Sequence, residues 1–284
     1  MRITNPFITR HLAAARALLV FTVLLGVIYP LAMVTVAHIP GLASRADGSL
    51  VRVNGKLVGS SELGQAFTDA KGNPIKGYFQ SRPSAAGTGY DPTSTSASNL
   101  GPEDVVDTSA RQSLLTQVCA RSQAIGELEG VSGARPYCAN GVGAVLGVYY
   151  SNGITGTVTR VVSLNQTSGT PFLATYGGVK VELATKDGDY SKAVVTPVRG
   201  TAPANPAVPA DAVTASGSGL DPDISPAYAA LQAPRVARTR GISLGTVQQL
   251  IAKYTTGRSL DFMGEPGVNV LELNLALDRL APLK

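Results

Sequence analysis

The sequence predicts an α+β chain: a single N-terminal transmembrane helix, then an exported mixed α/β domain with a β-rich inserted subdomain. Three observations predict it. Ala17 to Ala37 reads ALLVFTVLLGVIYPLAMVTVA without a charge. The middle of the chain alternates β-branched runs with Asn-Gly and Asp-Gly turn pairs. The C-terminal part carries capped, helically spaced apolar stripes.

As a helix, the uncharged run would be about 32 Å long, which matches a bilayer core of about 30 Å. Arg2, Arg10 and Arg16 precede it, and the first charge after it is Arg45. The positive-inside bias makes residues 1–16 a cytoplasmic tail and 17–37 the span, and puts everything after His38 outside. A cleaved signal peptide is the competing reading, with Thr35-Val36-Ala37 as a weak cleavage site. The apolar run is longer than the about 7–15 residues of a signal core, which favours a retained anchor. Pro30 should bend the helix, which membrane helices tolerate where local adjustments serve the freed carbonyl.

With 44% hydrophobic residues, the remainder can build a core, and Gly 31 with Pro 18 implies many loops. The net charge of +5 includes the tail arginines, and no Lys/Arg cluster interleaved with aromatics points to nucleic acid. Cys119 and Cys138 are the only cysteines, and both fall in the part assigned outside, where oxidation is expected. A disulfide between them and two buried thiols are the open readings. Zinc lacks ligands, because both histidines flank the span.

Asn54-Gly55 between short apolar runs predicts a type I′ hairpin. Ser60 and Ser61 would cap a short helix through Phe67, and the polar run 84–99 reads as loop. Residues 104–124 carry Val105, Leu114, Leu115 and Val118 at helical spacing. Residues 144–201 read as a small antiparallel subdomain, with hairpins at Asn152-Gly153 and Asp187-Gly188. A proline-rich extended stretch, 200–210, brings the chain back. Ser225-Pro226 starts a helix through about Ala233. Ser243 caps another that Gly257 ends, with Leu244, Val247, Leu250, Ile251 and Tyr254 as its stripe. The final run alternates leucines like a strand, yet Asn269 with Glu272 makes a capping box, which favours a helix.

Catalytic motifs are few. No histidine follows His38, which excludes a Ser-His-Asp or Cys-His unit from the exported domain. Ala215-Ser216-Gly217-Ser218-Gly219 looks like a phosphate loop without its lysine, so a glycine turn is the better reading, with positive φ expected at Gly217 and Gly219. Asp221, Asp223 and Glu265 are candidate acid–base carboxylates, although turn formation and helix-dipole complementarity explain the first two equally well. Arg235, Arg238 and Arg240 form a basic face, either solvated or paired with those acids.

Several blocks then combine in order: Tyr29-Pro30-Leu31 in the span, GYFQSRPSA (77–85), SNLGP (98–102), VTASGSGLDPDISP (213–226), PRVARTRG (234–241) and GEPGVNVLELNLALD (264–278). Together they resemble the C subunit of the Kdp-type potassium-transporting P-type ATPase, the KdpC family, over about residues 12–118 and 208–280. The resemblance implies a structural or interface role, not catalysis, for Tyr29, Pro30, Ser98, Asn99, Leu100, Ser216, Gly217, Gly219, Leu220, Asp221, Pro226, Arg235, Val236, Arg238, Glu265, Pro266, Asn269 and Asn274. It implies a complex in the cytoplasmic membrane with three partners: a channel-like potassium-binding subunit, a P-type catalytic subunit and a small membrane peptide. Membrane lipid contacts the span. K⁺ is the transported ion, and the complex uses ATP and Mg²⁺. The exported core, 38–119 with 207–284, would sit over the potassium-binding subunit as an assembly and stabilising component. The family is conventionally linked to ATP binding, but this sequence has neither a Walker A loop nor the D-K-T-G phosphorylation motif. Residues 120–206 stand outside the compact family pattern and read as an insertion. A stand-alone anchored binding protein or carboxylate-based hydrolase is the alternative.

Overall fold

The computed structural model describes residues 5–283. Arg2, part of the topology argument, lies outside the described residues. The chain divides into two compact units, the first ending at Glu62 and the second beginning at Leu63.

The first unit opens with a helix that starts upstream of the uncharged run. Asn5 caps it by accepting the Phe7 N–H at 3.0 Å, and Pro6 takes the first helical position, where its missing N–H costs nothing. Helix α1 (Pro6–Val23), a π turn at Leu24–Ile28 and α2 (Tyr29–Ala37) then form one continuous helix of 32 residues, long and apolar enough to cross a membrane. Pro30 shapes the middle. The helix widens just before it, and the Tyr29 N–H reaches back five residues to the Leu24 carbonyl. Such a widened turn is a common way to absorb a proline inside a helix. A short helix α3 (Ala43–Ala46) leads into the hairpin β1 (Leu50–Val53) and β2 (Lys56–Ser60), with a register irregularity at Val51/Arg52. Asn54 at φ 50° and Gly55 at φ 77° form its tight turn, as the Asn-Gly pair predicts. The helix expected after Ser60 does not form. The Ser60 hydroxyl instead donates to the Gly48 carbonyl at 2.7 Å and accepts the Glu62 N–H, which holds the chain in a turn.

The second unit begins with a long irregular run over residues 63–112. Helix α4 (Leu114–Glu129) follows, capped by the Ser113 hydroxyl and closed by Gly130 at φ 71°. It starts ten residues later than its apolar spacing predicts, because residue 104 serves its N-terminus from outside. The Asp104 carboxylate accepts the Leu114 N–H at 2.7 Å, and its carbonyl accepts the Leu115 N–H. The helix also runs past Ala124 and straight across the expected boundary between 119 and 120.

Short strands β3 (Cys138–Ala139) and β4 (Val142–Gly143) pair with each other. Strands β5 (Val145–Tyr150), β6 (Val158–Ser163), β7 (Thr175–Tyr176), β8 (Val179–Leu183) and β9 (Val194–Pro197) form a five-stranded sheet in the order β7-β8-β6-β5-β9. It is not all antiparallel, since β6 and β8 run parallel. Asp187-Gly188 therefore closes no hairpin: the chain passes there from β8 to β9 on the far side of β5. Both faces are buried. Val145, Val162, Leu164 and Ala184 pack with Val105, Val106 and Leu115 on one side, and Leu146, Val148, Val161 and Val181 pack with Phe172 and Leu173 on the other.

Cys119 of α4 is bonded to Cys138 of β3, 19 positions away. Closing that loop limits the unfolded chain, so Cys119→Ala with Cys138→Ala is expected to cost about 2–3 kcal/mol. Thermal unfolding of oxidised and variant protein measures it.

The remaining elements are α5 (Ala210–Val213), β10 (Asp223–Ile224), α6 (Pro226–Arg240), α7 (Leu244–Lys253), β11 (Thr255–Thr256), β12 (Gly267–Asn269) and α8 (Val270–Leu280). Ser225, Ser243 and Asn269 cap α6, α7 and α8 through their side chains, each accepting an N–H three residues on. Helix α6 runs on through Pro234 to Gly241, beyond the expected end at Ala233. Ala230, whose carbonyl loses its helical donor to Pro234, is an exposed residue. Helix α7 ends at Tyr254, not at Gly257, because the chain enters β11 at once. The final run uses both of its readings: β12 is the centre of the sheet β10-β12-β11, and α8 begins at its end. Phe79, Ile224, Tyr228, Val236, Val247, Val268, Leu273 and Leu277 form the main core.

Candidate functional site

Residues 76–80 pass this core outside any strand, turning at 76–78 with the Tyr78 N–H on the Ile75 carbonyl, and side chains meet their other backbone groups. Asn274 supplies both halves of a strand-like pair: its Oδ1 accepts the Phe79 N–H at 2.9 Å and its Nδ2 donates to the Phe79 carbonyl at 3.0 Å. Gln232 does the same for Gln80, at 2.7 Å and 3.0 Å. Arg235 donates from Nη1 to the carbonyls of Lys76 and Tyr78, from Nη2 to Gln232, and from Nε to both carboxylate oxygens of Glu129. Gln232, Arg235 and Asn274 are buried polar side chains whose hydrogen bonds are met within the fold.

The Arg235–Glu129 pair is almost wholly enclosed, with side-chain exposures of 4% and 1%. Burial raises the Glu129 carboxyl above its usual range, and the Arg235 guanidinium opposes that shift. Arg240 continues the network. It donates to the carbonyls of Gly77 and Ala281, pairs with Asp278 at 2.9 Å, and lies over the Tyr78 ring. Asp221 and Glu265 pair with Arg82 and Arg258 instead of with this basic face, and among its three arginines Arg238 is the exposed one. Val236, next to Arg235, is fully buried.

A second knot ties the loops of residues 81–100 to 214–221. Arg82 pairs with Asp221 at 3.0 Å. The Ser84 hydroxyl donates to the Gly219 carbonyl at 2.6 Å and accepts the N–H groups of Ala86 and Tyr90. Ser216 accepts the Gly219 N–H, Ser218 accepts the Leu220 N–H, and the Leu220 carbonyl accepts the Gly64 N–H. The amides of Gly219 and Leu220 are thus used by the loop's own serines, which makes a folded turn of the phosphate-loop look-alike. Gly219 has φ 71°, and a β-carbon there would stand 2.8 Å from the Ser96 carbonyl oxygen. Gly217 departs from the expectation: its φ is not positive and no atom lies within 4 Å of such a β-carbon.

Ser98, Asn99 and Leu100 meet Ser216, Gly217 and Arg121 around a cavity of about 290 Å³. The structure therefore brings the SNL and SGSG blocks together, although they lie more than a hundred positions apart. Pro226 starts α6 and Asn269 caps α8. Glu265 sits apart, mostly exposed and paired with Arg258 at 2.6 Å, beside Pro266. Asp221 and Glu265 each have an arginine partner. Among the described residues, no three His, Cys, Asp or Glu side chains converge as a metal site. Tyr29 and Pro30 lie in the apolar helix of the first unit.

Sequence reasoning missed Glu129 and Gln232. Glu129 lies beyond the expected domain boundary, and Gln232 falls one residue short of the helix end drawn at Ala233. Arg82 and Ser84 stood inside the quoted GYFQSRPSA block but were not singled out.

A family model described as "K+-transporting ATPase, c chain" matches residues 11–132 and 159–279. The chain belongs to the KdpC family. Potassium-transporting ATPase KdpC subunits are similar to it over most of their length. That of Mycobacterium tuberculosis (strain H37Rv) is 36% identical over 269 residues, covering 95% of this chain and 97% of the relative. That of Kineococcus radiotolerans is 38% identical over 265 residues, 93% and 91% of the two chains. That of Rhodospirillum rubrum is 36% identical over 262 residues, 92% and 91%. The KdpC model passes over residues 133–158 alone between its two segments, a shorter stretch than the 120–206 expected from the sequence. The KdpC chain is thus a subunit of a K⁺-transporting ATPase, a translocase complex in which it is not the catalytic part.

Proposed function

We propose that this chain is a non-catalytic accessory subunit that assembles and stabilises an ATP-driven potassium pump. Its apolar helix is a retained single-pass anchor in the cytoplasmic membrane, in contact with lipid, with the N-terminus inside. Residues after His38 lie outside, over the channel-like potassium-binding subunit. A P-type catalytic subunit and a small membrane peptide complete the complex. ATP and Mg²⁺ belong to the catalytic subunit, and K⁺ is cargo. The observation that carries this reading is the use of the motif residues. Arg235 and Asn274 hold residues 76–80, Ser216, Gly219 and Asp221 join the 81–100 and 214–221 loops, and Asp221 and Glu265 pair with arginines, as expected of a scaffold.

Within this reading the division of the chain moves. Helix α4 belongs with the core up to Glu129, because Glu129 closes the Arg235 network, and the piece outside the family pattern narrows to residues 133–158, which carry β3, β4 and β5. Purified chain alone is expected to hydrolyse no ATP. Membranes containing the large pump subunits are expected to show K⁺-stimulated hydrolysis only when this chain is co-expressed. Turnover by the chain alone that is lost on Asp221→Asn would overturn the reading and favour a carboxylate-based hydrolase.

A further inference from the structure

The first unit leaves its apolar helix without a free linker. The Ile39 N–H donates to the Val36 carbonyl at 3.1 Å, the Leu42 N–H to Ile39 at 2.9 Å, the Ala46 N–H to Leu42 at 3.0 Å and the Ser49 N–H to Ser44 at 2.8 Å. The far strand of the hairpin is tied to the same turns, by the Ser60 hydroxyl on the Gly48 carbonyl and the Ser61 N–H on the Ser49 carbonyl. Residues 38–49, wound at about 1.5 Å per residue, reach about 18 Å. The β1–β2 hairpin therefore stays close to the end of the helix. Among the described residues of this unit Ser60 alone is buried, so the hairpin has no apolar core of its own there. A two-stranded hairpin in that state is marginal in water.

Its surface is apolar and cationic at once. Ile39 (47%), Leu42 (41%), Leu50 (49%) and Leu57 (47%) are all exposed. Arg52 and Leu57 stand directly opposite each other in the strand register, which puts them on one face. Arg45 and Lys56 are exposed as well, and Asp47 is the only acid between His38 and Ser61. Among the described residues, none of these three cations is in an ion pair. What covers this surface follows from where it hangs. The helix that it continues is long and apolar enough to cross a membrane, and the ladder of turns gives the hairpin little length to leave that membrane's edge. Leucines beside unpaired guanidinium and ammonium groups suit a headgroup layer, with apolar stems at the acyl boundary and cations on lipid phosphates. Two copies meeting through this face would set Arg52 and Lys56 against themselves, which disfavours self-association.

We propose that the β1–β2 hairpin is an interfacial foot, seating Leu50 and Leu57 at the headgroup–acyl boundary with Arg45, Arg52 and Lys56 on anionic lipid. This rests on the membrane anchor proposed above and not on the pump partners. The experiment reconstitutes the full chain, carrying an environment-sensitive fluorescent amino acid at position 57, into vesicles of phosphatidylcholine and phosphatidylglycerol. Lipids brominated near the top of the acyl chain are expected to quench the label about twofold. Vesicles of phosphatidylcholine alone, and separately Arg52→Glu with Lys56→Glu, should each remove at least about half of that quenching. A label left unquenched would overturn the proposal, as would quenching indifferent to lipid charge or to the charge reversal. So would a label that is shielded only when the pump subunits are present, which would give the face to protein. Should the reversed variant fail to fold, the two vesicle compositions decide alone. A chain that does not float with the vesicles loses the anchor and the foot with it; a chain that floats with its label unquenched loses the foot alone.

Discussion

Replacing Glu129 with alanine is expected to destabilise the larger unit by about 3–5 kcal/mol, because it leaves the Arg235 guanidinium buried without a counter-charge. The pair is nearly closed to solvent, and Arg235 Nε gives both of its contacts at 2.9 Å and 3.0 Å to that one carboxylate. For a unit of this size the loss corresponds to a fall of about 10 °C in melting temperature. Glu129→Leu combined with Arg235→Met should recover only part of it. The apolar pair removes the unpaired charge, but the carbonyls of Lys76 and Tyr78 lose the donors that Arg235 provides. Thermal unfolding of the three variants in detergent measures the effect. A Glu129→Ala protein that melts with the unaltered chain would show that the pair carries no load.

Gly219→Val carries the second large expected loss, about 3 kcal/mol or more. Two costs combine: a β-branched residue at φ 71°, and a β-carbon 2.8 Å from the Ser96 carbonyl oxygen and 2.9 Å from Ala86. Moving either neighbour breaks the Ser84 bond to the Gly219 carbonyl, which joins the two loops. Gly217→Val is the matched control. That position has ordinary φ and open space, so its change in stability should stay within about 0.5 kcal/mol. Two glycines a residue apart in one sequence block should therefore separate cleanly in a denaturant titration. Equal losses at both would mean that the turn is not held as described.

Local chemistry was the most legible part of this fold. The Asn54-Gly55 hairpin, the serine caps of α6 and α7 and the Asn269 cap of α8 each rest on a side chain acting within three residues, so the sequence states them directly. What escaped depends on distant partners. The start of α4 is set by Asp104 across a ten-residue loop, and the parallel pairing of β6 with β8 is set by packing on both sheet faces. The candidate site divides the same way. The SNL and SGSG blocks were visible as motifs, but their meeting around one cavity was not. Glu129 was invisible as a site residue because a single Glu at the end of a helix carries no local mark of the arginine it meets 106 positions later. Gly217 shows the opposite error, a residue type read as a backbone requirement that the fold does not impose.

If this chain is an assembly subunit of a potassium pump, the intact complex should be isolated with it. The chain, tagged at its C-terminus and expressed with its pump partners, would be purified from membranes in mild detergent and sized. One species is expected that contains the chain, the potassium-binding subunit and the catalytic subunit in fixed proportion, and that falls apart with Glu129→Ala. A chain that elutes by itself, while the other two subunits remain together and hydrolyse ATP in response to K⁺ without it, would show that it is no assembly subunit.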